Sequence, residues 1–223
     1  MSENQWNRHE PHSLFPQLTE EEVTFISHHG EIKNYCKHSV LISEGDISNY
    51  MFILLEGKVK VYSLQRSGKE IVFNIQGPGE YFGELALIDE SPRSASVMAM
   101  EPVTVSFVSK FTFETCLQER PEMAVRFLRT LTERVRYLTE IVKNLALRDV
   151  YGRVIFTLEM LSEKENDDRV IKLRLRHQDI ASMVGSSREM VSKIMKELME
   201  AGVLQKVDQH IYIKKGFPKV LEM

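Results

Sequence analysis

The chain has 223 residues, a formal net charge of −3 and a hydrophobic fraction of 43%, the balance of a globular protein with a real core rather than of a disordered one. No run of about 18 apolar residues occurs, so no membrane span is expected. Residues 151–223 nevertheless hold 13 Lys and Arg against 11 Asp and Glu, and a sequence-specific DNA reader needs a local basic face rather than a basic average.

The N-terminal stretch MSENQWNRHEPH is polar and lacks the apolar core of a secretion signal, which points to the cytoplasm. Cys36 and Cys116 lie far apart and read as two plain thiols in a reducing compartment. They cannot supply the four ligands of an iron–sulfur cluster, and the histidines form no metal-ligand spacing, so no metal is expected.

Residues 18–34 (LTEEEVTFISHHGEIKN) open with Thr19-x-x-Glu22, a capping-box pattern, and continue with helical spacing. From about residue 36 to 110 the character changes to short strands such as VLISEG, MFILLEGKVKVYSL, KEIVFNIQ and SASVMAM, punctuated by glycines. Regular short strands with turn signals predict an antiparallel barrel or roll, with Ser67-Gly68 as a hairpin turn.

Within that region GPGEYFGELALIDESPRSASV runs from Gly77 to Val97. A strand ends at a glycine-rich turn and Gly83-Glu84-Leu85-Ala86 begins a short helix. Free N–H groups at such a start attract an anion, and Arg93, ten residues on from Gly83, offers a cationic fork for a phosphate. Glu84 is out of place beside an anion unless it pairs with Arg93 and accepts a hydrogen bond from a sugar hydroxyl. A phosphate plus a ribose implies a nucleotide.

Pro121 opens a long helix. Leu128, Leu131, Val135, Leu138, Val142 and Leu145 recur at alternating spacings of 3 and 4, an a/d seam. A helix packed on its own domain can show such a stripe. The length of this one, its charged other faces, its lack of interior Gly or Pro and its place between two domains favour a homodimer seam. Residues 144–152 end or bend it, and a helix over about 150–163, an acidic loop over 162–168 and a short strand in VIKLRL follow.

HQDIASMVGSSREMVSKIMKELMEAGVLQ, from His177 to Gln205, fits a helix-turn-helix. Ala181 stands where two helices cross, Gly185 where the turn needs positive φ, and Val191 and Ile194 where the second helix docks. Ser186 or Ser187 can cap that helix. Arg188 and Glu189 fall in its first turn, the part that enters the major groove. Arg can grip guanine and Glu can accept from cytosine, while Lys193, Lys196 and the serines suit phosphates. A solvated face with an internal Glu189–Lys193 pair is the alternative. VLQKVDQHIYI then predicts a hairpin wing, where Lys206 and His210 either touch phosphate or face solvent.

These motifs together resemble the CRP/FNR family of bacterial regulators, from about residue 15 to 215. Residues 37–110 look like its cyclic-nucleotide-binding fold and GELALIDESPRSAS like its phosphate cassette; SREMVSKIMKELMEAGVL and NLALRDVYGRV carry the rest. The resemblance is to the CRP branch, because the cluster-binding cysteines of FNR are missing. It implies an α+β fold with a cyclic-nucleotide-binding β-roll over 1–120, a dimerisation helix and hinge over 121–148 and a winged helix-turn-helix over 149–223. It implies a ligand site of Gly83, Glu84, Arg93 and Ser94 at the phosphate and ribose, with Val61, Phe73 and Leu85 in the wall. Arg134 would stand near the phosphate. Leu138 and Thr139 would sit against the base, Thr139 from the partner subunit, and Leu138 replaces a hydroxyl found in cAMP-responsive members. The DNA-facing candidates are His177, Ser187, Arg188, Glu189, Ser192 and Lys193. The implied protein is no enzyme and needs no cofactor. It is a homodimeric activator on a palindromic operator, with RNA polymerase as partner and cAMP as effector. Cyclic di-GMP, cGMP or activity without ligand are the alternatives.

Overall fold

The computed structural model describes residues 18–165 and 168–218. The reading of the polar N-terminal stretch and the outer ends of the expected domains lie outside the described residues. In chain order the elements are α1 (Glu20–His28), β1 (Glu31–Tyr35), β2 (Val40–Ile42), β3 (Tyr50–Glu56), β4 (Val59–Leu64), β5 (Glu70–Gln76), β6 (Tyr81–Phe82), α2 (Leu85–Asp89), β7 (Ser96–Ala99), β8 (Val103–Ser109), α3 (Lys110–Glu119), α4 (Pro121–Leu147), α5 (Val150–Leu161), β9 (Glu163–Glu165), β10 (Asp168–Ile171), α6 (His177–Val184), α7 (Arg188–Glu200), β11 (Leu204–Val207) and β12 (His210–Ile213). The described residues divide into two compact units, one ending at Arg136 and the other beginning at Tyr137, so the division falls inside α4.

The first unit is an antiparallel β-roll of two four-stranded sheets, ordered β1-β8-β3-β6 and β2-β7-β4-β5. Strand β3 shows why its residues read as an unbroken apolar run: side chains alternate between faces, and both faces are covered. Phe52 and Leu54 join Val97, Ala99, Val103 and Val105 in the interior between the sheets. Met51 and Ile53 face outward onto Ile26 of α1, Phe113 of α3 and Met123 and Phe127 of α4. Met123 and Phe127, one turn apart, are both buried, and the Phe127 ring lies 4.3 Å from that of Tyr81.

Thr19 and Glu22 form the expected capping box, in which the Thr19 N–H donates to Glu22 at 2.8 Å and the Glu22 N–H to Thr19 Oγ1 at 3.2 Å. Arg126 then pairs with the buried Glu22 at 2.8 Å, fastening α1 to α4. The helix stops at His28, however, and residues 31–34 belong to β1. A side chain at Gly30 would lie 2.4 Å from Ser106 Oγ, so the chain turns there against β8 and the polar EIKNY segment pairs with β8. The hairpin at Ser67-Gly68 is as expected: Gly68 has φ +82° and the Gln65 N–H bonds Lys69 O.

In the second unit, α5, α6 and α7 enclose one core. Val154, Leu158, Ile171, Ile180, Ala181, Val191, Ile194, Met195 and Leu198 are its buried centre. Gly185 ends α6 with φ +63°. Ser187, not Ser186, caps α7, its Oγ accepting the Met190 N–H at 3.2 Å. Ser187→Ala is expected to lower unfolding stability by about 1 kcal/mol, measured by denaturant titration. The four-stranded sheet β11-β12-β10-β9 supplies the wing. Here the acidic segment departs from the loop expected over 162–168: Glu163–Glu165 and Asp168 are paired strand, with Lys172 within 3.0 Å of Glu163 and 3.3 Å of Glu165. Residues 166–167 lie outside the described residues.

Candidate functional site

β6 ends at Phe82, and Gly83 turns the chain toward α2 with φ +82°. A Cβ at Gly83 would lie 2.5 Å from Arg93 Nη1 and 2.9 Å from Ile42 Cδ1. Glycine is therefore required twice, for the left-handed backbone and for the close approach of the guanidinium. Glu84 stands at the start of α2 without capping it, which leaves the first N–H groups of the helix to other acceptors. Seven of the expected residues, Val61, Gly83, Glu84, Leu85, Arg93, Ser94 and Arg134, line a cavity of about 80 Å³. Ligand pockets run from about 300 Å³ upward, so this cavity is smaller than a typical one. Leu85 and Ser94 of its lining are exposed.

Arg93 is 4% exposed. Its Nη1 donates to Gly83 O, and its Nη2 donates to Ser48 Oγ at 2.6 Å and Tyr50 O at 2.5 Å. Every one of these acceptors is neutral. Burial pulls its pKa below the ordinary value, opposed by Tyr50 and, at longer range, by Glu84 and Asp46. Glu84 is not its ion-pair partner, contrary to expectation. The buried Glu84 carboxylate pairs with Arg134 of α4, whose Nη2 also donates to Tyr81 O at 2.9 Å. The reason is position: Arg93 is held by the backbone of Gly83 and Tyr50, while α4 delivers Arg134 to Glu84.

Phe73 does not line the cavity; it is 37% exposed. The β4–β5 register shifts between Val61, opposite Asn74, and Tyr62, opposite Val72, so Phe73 is the extra residue of a bulge. Without the bulge Phe73 would stand opposite Val61. With it, Asn74 takes that place, and Gln76 joins the wall with Ile42, Phe82 and Val97. The signal for Gln76 was the polar N-x-Q pattern interrupting the apolar alternation of KEIVFNIQ.

On α7, Arg188, Glu189 and Lys193 are exposed. Among the described residues no ion pair engages any of them, the Glu189–Lys193 pair included, whereas Lys196 lies 3.7 Å from Glu200. Their charges are available to an outside partner. His177, at the start of α6, sets Nδ1 2.8 Å from Ser192 Oγ, joining the two helices. Its pKa is lowered by burial and then by the charges of Lys206 and Arg188, so these cations create a positive field on one side of the motif.

The expected seam of α4 is largely uncovered: Leu128 is 63% exposed, Val135 64%, Leu138 47%, Val142 63% and Leu145 51%. Leu131 is half-buried and Thr139 is exposed. Leu138 and Thr139 lie on the second unit's side of the division. Among the described residues no helix is long and apolar enough to cross a membrane, and no group of three or more His, Cys, Asp or Glu is set to hold a metal ion.

Residues 32–120 match the family model of the cyclic nucleotide-binding domain, and residues 152–215 that of the Crp-like helix-turn-helix domain. The chain is 31% identical over 169 residues to the CRP-like cAMP-activated global transcriptional regulator of Mycobacterium tuberculosis, covering 74% of this chain and 75% of that protein. It is also 31% identical over 185 residues to the cAMP-activated global transcriptional regulator CRP of Salmonella typhimurium, covering 81% and 87% of the two chains. Among solved structures, the c-di-GMP responsive global regulator CLP of Xanthomonas campestris shares the fold with a TM-score of 0.74 at 22% identity, over 88% of this chain and 99% of that one.

Proposed function

This chain belongs to the CRP/FNR family of transcription regulators, and from that premise we propose that it is a homodimeric, sequence-specific DNA-binding activator, not an enzyme, gated by cAMP. The observation that carries the reading is Arg93. A buried guanidinium whose hydrogen bonds go only to neutral groups has no anion in direct contact, with Glu84 and Asp46 acting only at longer range, and buried cations call for a close counter-charge. A cyclic phosphate supplies it. Arg93, Ser94 and the N–H groups after Gly83 hold that phosphate. Glu84, paired with Arg134, accepts from the ribose hydroxyl, and Val61 and Leu85 flank the base. The roles of Leu138 and Thr139 against the base rest on the family resemblance alone.

The uncovered stripe of α4 pairs two copies. The two α7 helices then read half-sites about 34 Å apart, one DNA turn, in a palindrome. Arg188 and Glu189 read bases, and Lys193, Ser187, Ser192 and His177 approach phosphates. The protein works in the cytoplasm with RNA polymerase as a further partner. Selection of bound duplexes from a random pool, with and without cAMP, tests this reading. A palindrome enriched only with cAMP supports it; no enriched sequence under either condition contradicts it. Arg188→Ala is expected to weaken the selected site by about 1–3 kcal/mol, roughly 5- to 150-fold, and to relax preference at one position per half-site, as read by competition binding. Leu138, apolar where cAMP-responsive members carry a hydroxyl, favours a second reading in which cyclic di-GMP or cGMP is the effector. The same selection run with each nucleotide separates the two.

A further inference from the structure

Strand β5 carries two amides on the face that meets the cavity wall. Asn74 stands opposite Val61 and Gln76 opposite Val59, and residues two apart share a face. Val97, itself paired with Val61 and Ile42, continues that face as an apolar surface. Gln76 is 2% exposed and Asn74 7%. Gln76 Nε2 donates to Tyr81 O at 3.2 Å, the carbonyl that also receives Arg134 Nη2. That bond fixes which way round the amide lies and leaves Oε1 as the free end. Among the described residues Gln76 Oε1 has no hydrogen-bond partner, and neither has Asn74 Oδ1. Buried acceptors are satisfied in the great majority of cases, and an exception calls for a reason. Gln76 is also a lining residue of the cavity, so its amide borders the candidate ligand site.

We propose that Gln76 is a specificity-determining residue of this cavity: its Oε1 accepts an N–H from the exocyclic amino group of the ligand's base. The proposal rests on the reading of the cavity as a cyclic-nucleotide site. The Glu84 carboxylate, next to Gly83, takes the sugar hydroxyl. Gln76 lies instead among Val61, Val97 and Ile42, which suit the faces of a base. An amide oxygen at the end of an apolar slot rejects a base that offers no donor there, because Oε1 is then buried without a partner.

The test is calorimetric binding of matched nucleotides to the full-length protein. One pair is cAMP and its analogue lacking the 6-amino group; the other is cGMP and cIMP, which lacks the 2-amino group. In the pair holding the tighter ligand, the amino-bearing member is expected to bind about tenfold tighter, the worth of one hydrogen bond. Gln76→Met, of similar length and apolar, is expected to reduce that preference to within about twofold, chiefly by weakening the amino-bearing member. Gln76→Leu serves as a second variant, and circular dichroism reports whether each folds. Equal binding within both pairs by the unaltered protein overturns the proposal whatever the variants do, as does a preference that survives in a folded variant. Either result leaves the cyclic-nucleotide site standing, with a structural water on Oε1 as the account. A variant that instead erases discrimination against 2′-deoxy-cAMP assigns Oε1 to the sugar and also overturns it. Binding of none of these nucleotides removes the cAMP and cGMP readings of the cavity, and the proposal with them.

Discussion

If α4 pairs two copies as proposed, replacing Val135 and Val142 together by Asp is expected to leave the protein monomeric and to lower operator affinity by at least about a hundredfold. The two side chains are 64% and 63% exposed on α4, one heptad apart. Aspartate at an exposed helix position costs the monomer little, and surface substitutions away from special features usually change stability by about 0.5 kcal/mol or less. In an a/d seam the same carboxylates meet each other's copies and the apolar knobs of the facing helix, where charge is expensive. Loss of the dimer unlinks the two α7 helices, and the second half-site contact ceases to be intramolecular; linkage of this kind is worth about 10²–10⁴ in affinity. Sedimentation velocity reads the first effect and fluorescence anisotropy on a palindromic duplex the second. A double variant that sediments as a dimer contradicts the seam.

The second large effect is expected at Gly83 and Arg93. Arg93→Met removes the cation from the cavity. Charge-assisted hydrogen bonds are worth about 1.5–3 kcal/mol each, so the loss of a two-bond grip on a phosphate is expected to weaken nucleotide binding by about 3–6 kcal/mol, roughly two to four orders of magnitude. Gly83→Ala reaches the same result by another route. Its Cβ falls 2.5 Å from Arg93 Nη1 and its φ of +82° disfavours any L side chain, so the guanidinium is displaced although the charge is kept. Calorimetry with cAMP measures both. Retained dimerisation and retained weak DNA binding show that each variant is folded. Undiminished nucleotide binding in Arg93→Met contradicts the assignment of the phosphate.

The parts legible in the sequence are those whose constraints are local. Ala181, Gly185, Val191 and Ile194 each answer a requirement of one short turn between two helices, and the structure buries the three apolar ones and gives Gly185 its φ of +63°. The α4 stripe was legible because helical period alone decides which residues share a face. The links that were not legible are long-range. Glu84 and Arg134 are 50 residues apart, and nothing in the local sequence says that α4 rather than the neighbouring Arg93 supplies the partner carboxylate's cation. Phe73 failed for a subtler reason. A single bulge shifts register by one residue and exchanges the faces of a strand, so the wall gained Gln76 in place of an aromatic ring. Helix α3 carries only a weak apolar pattern, so local sequence does not mark it, although Ser109 caps it with an Oγ accepting the Thr112 N–H at 3.1 Å.

The account turns on coupling between the Arg93 cavity and the Arg188 face, and coupling is reciprocal. Operator affinity is best measured by anisotropy with and without saturating nucleotide, and nucleotide affinity by calorimetry with and without saturating operator. The predicted result is that cAMP tightens operator binding by a factor in the range of about 5–150, and that operator tightens cAMP binding by the same factor. Operator affinity that stays constant at saturating cAMP, cGMP and cyclic di-GMP alike contradicts it.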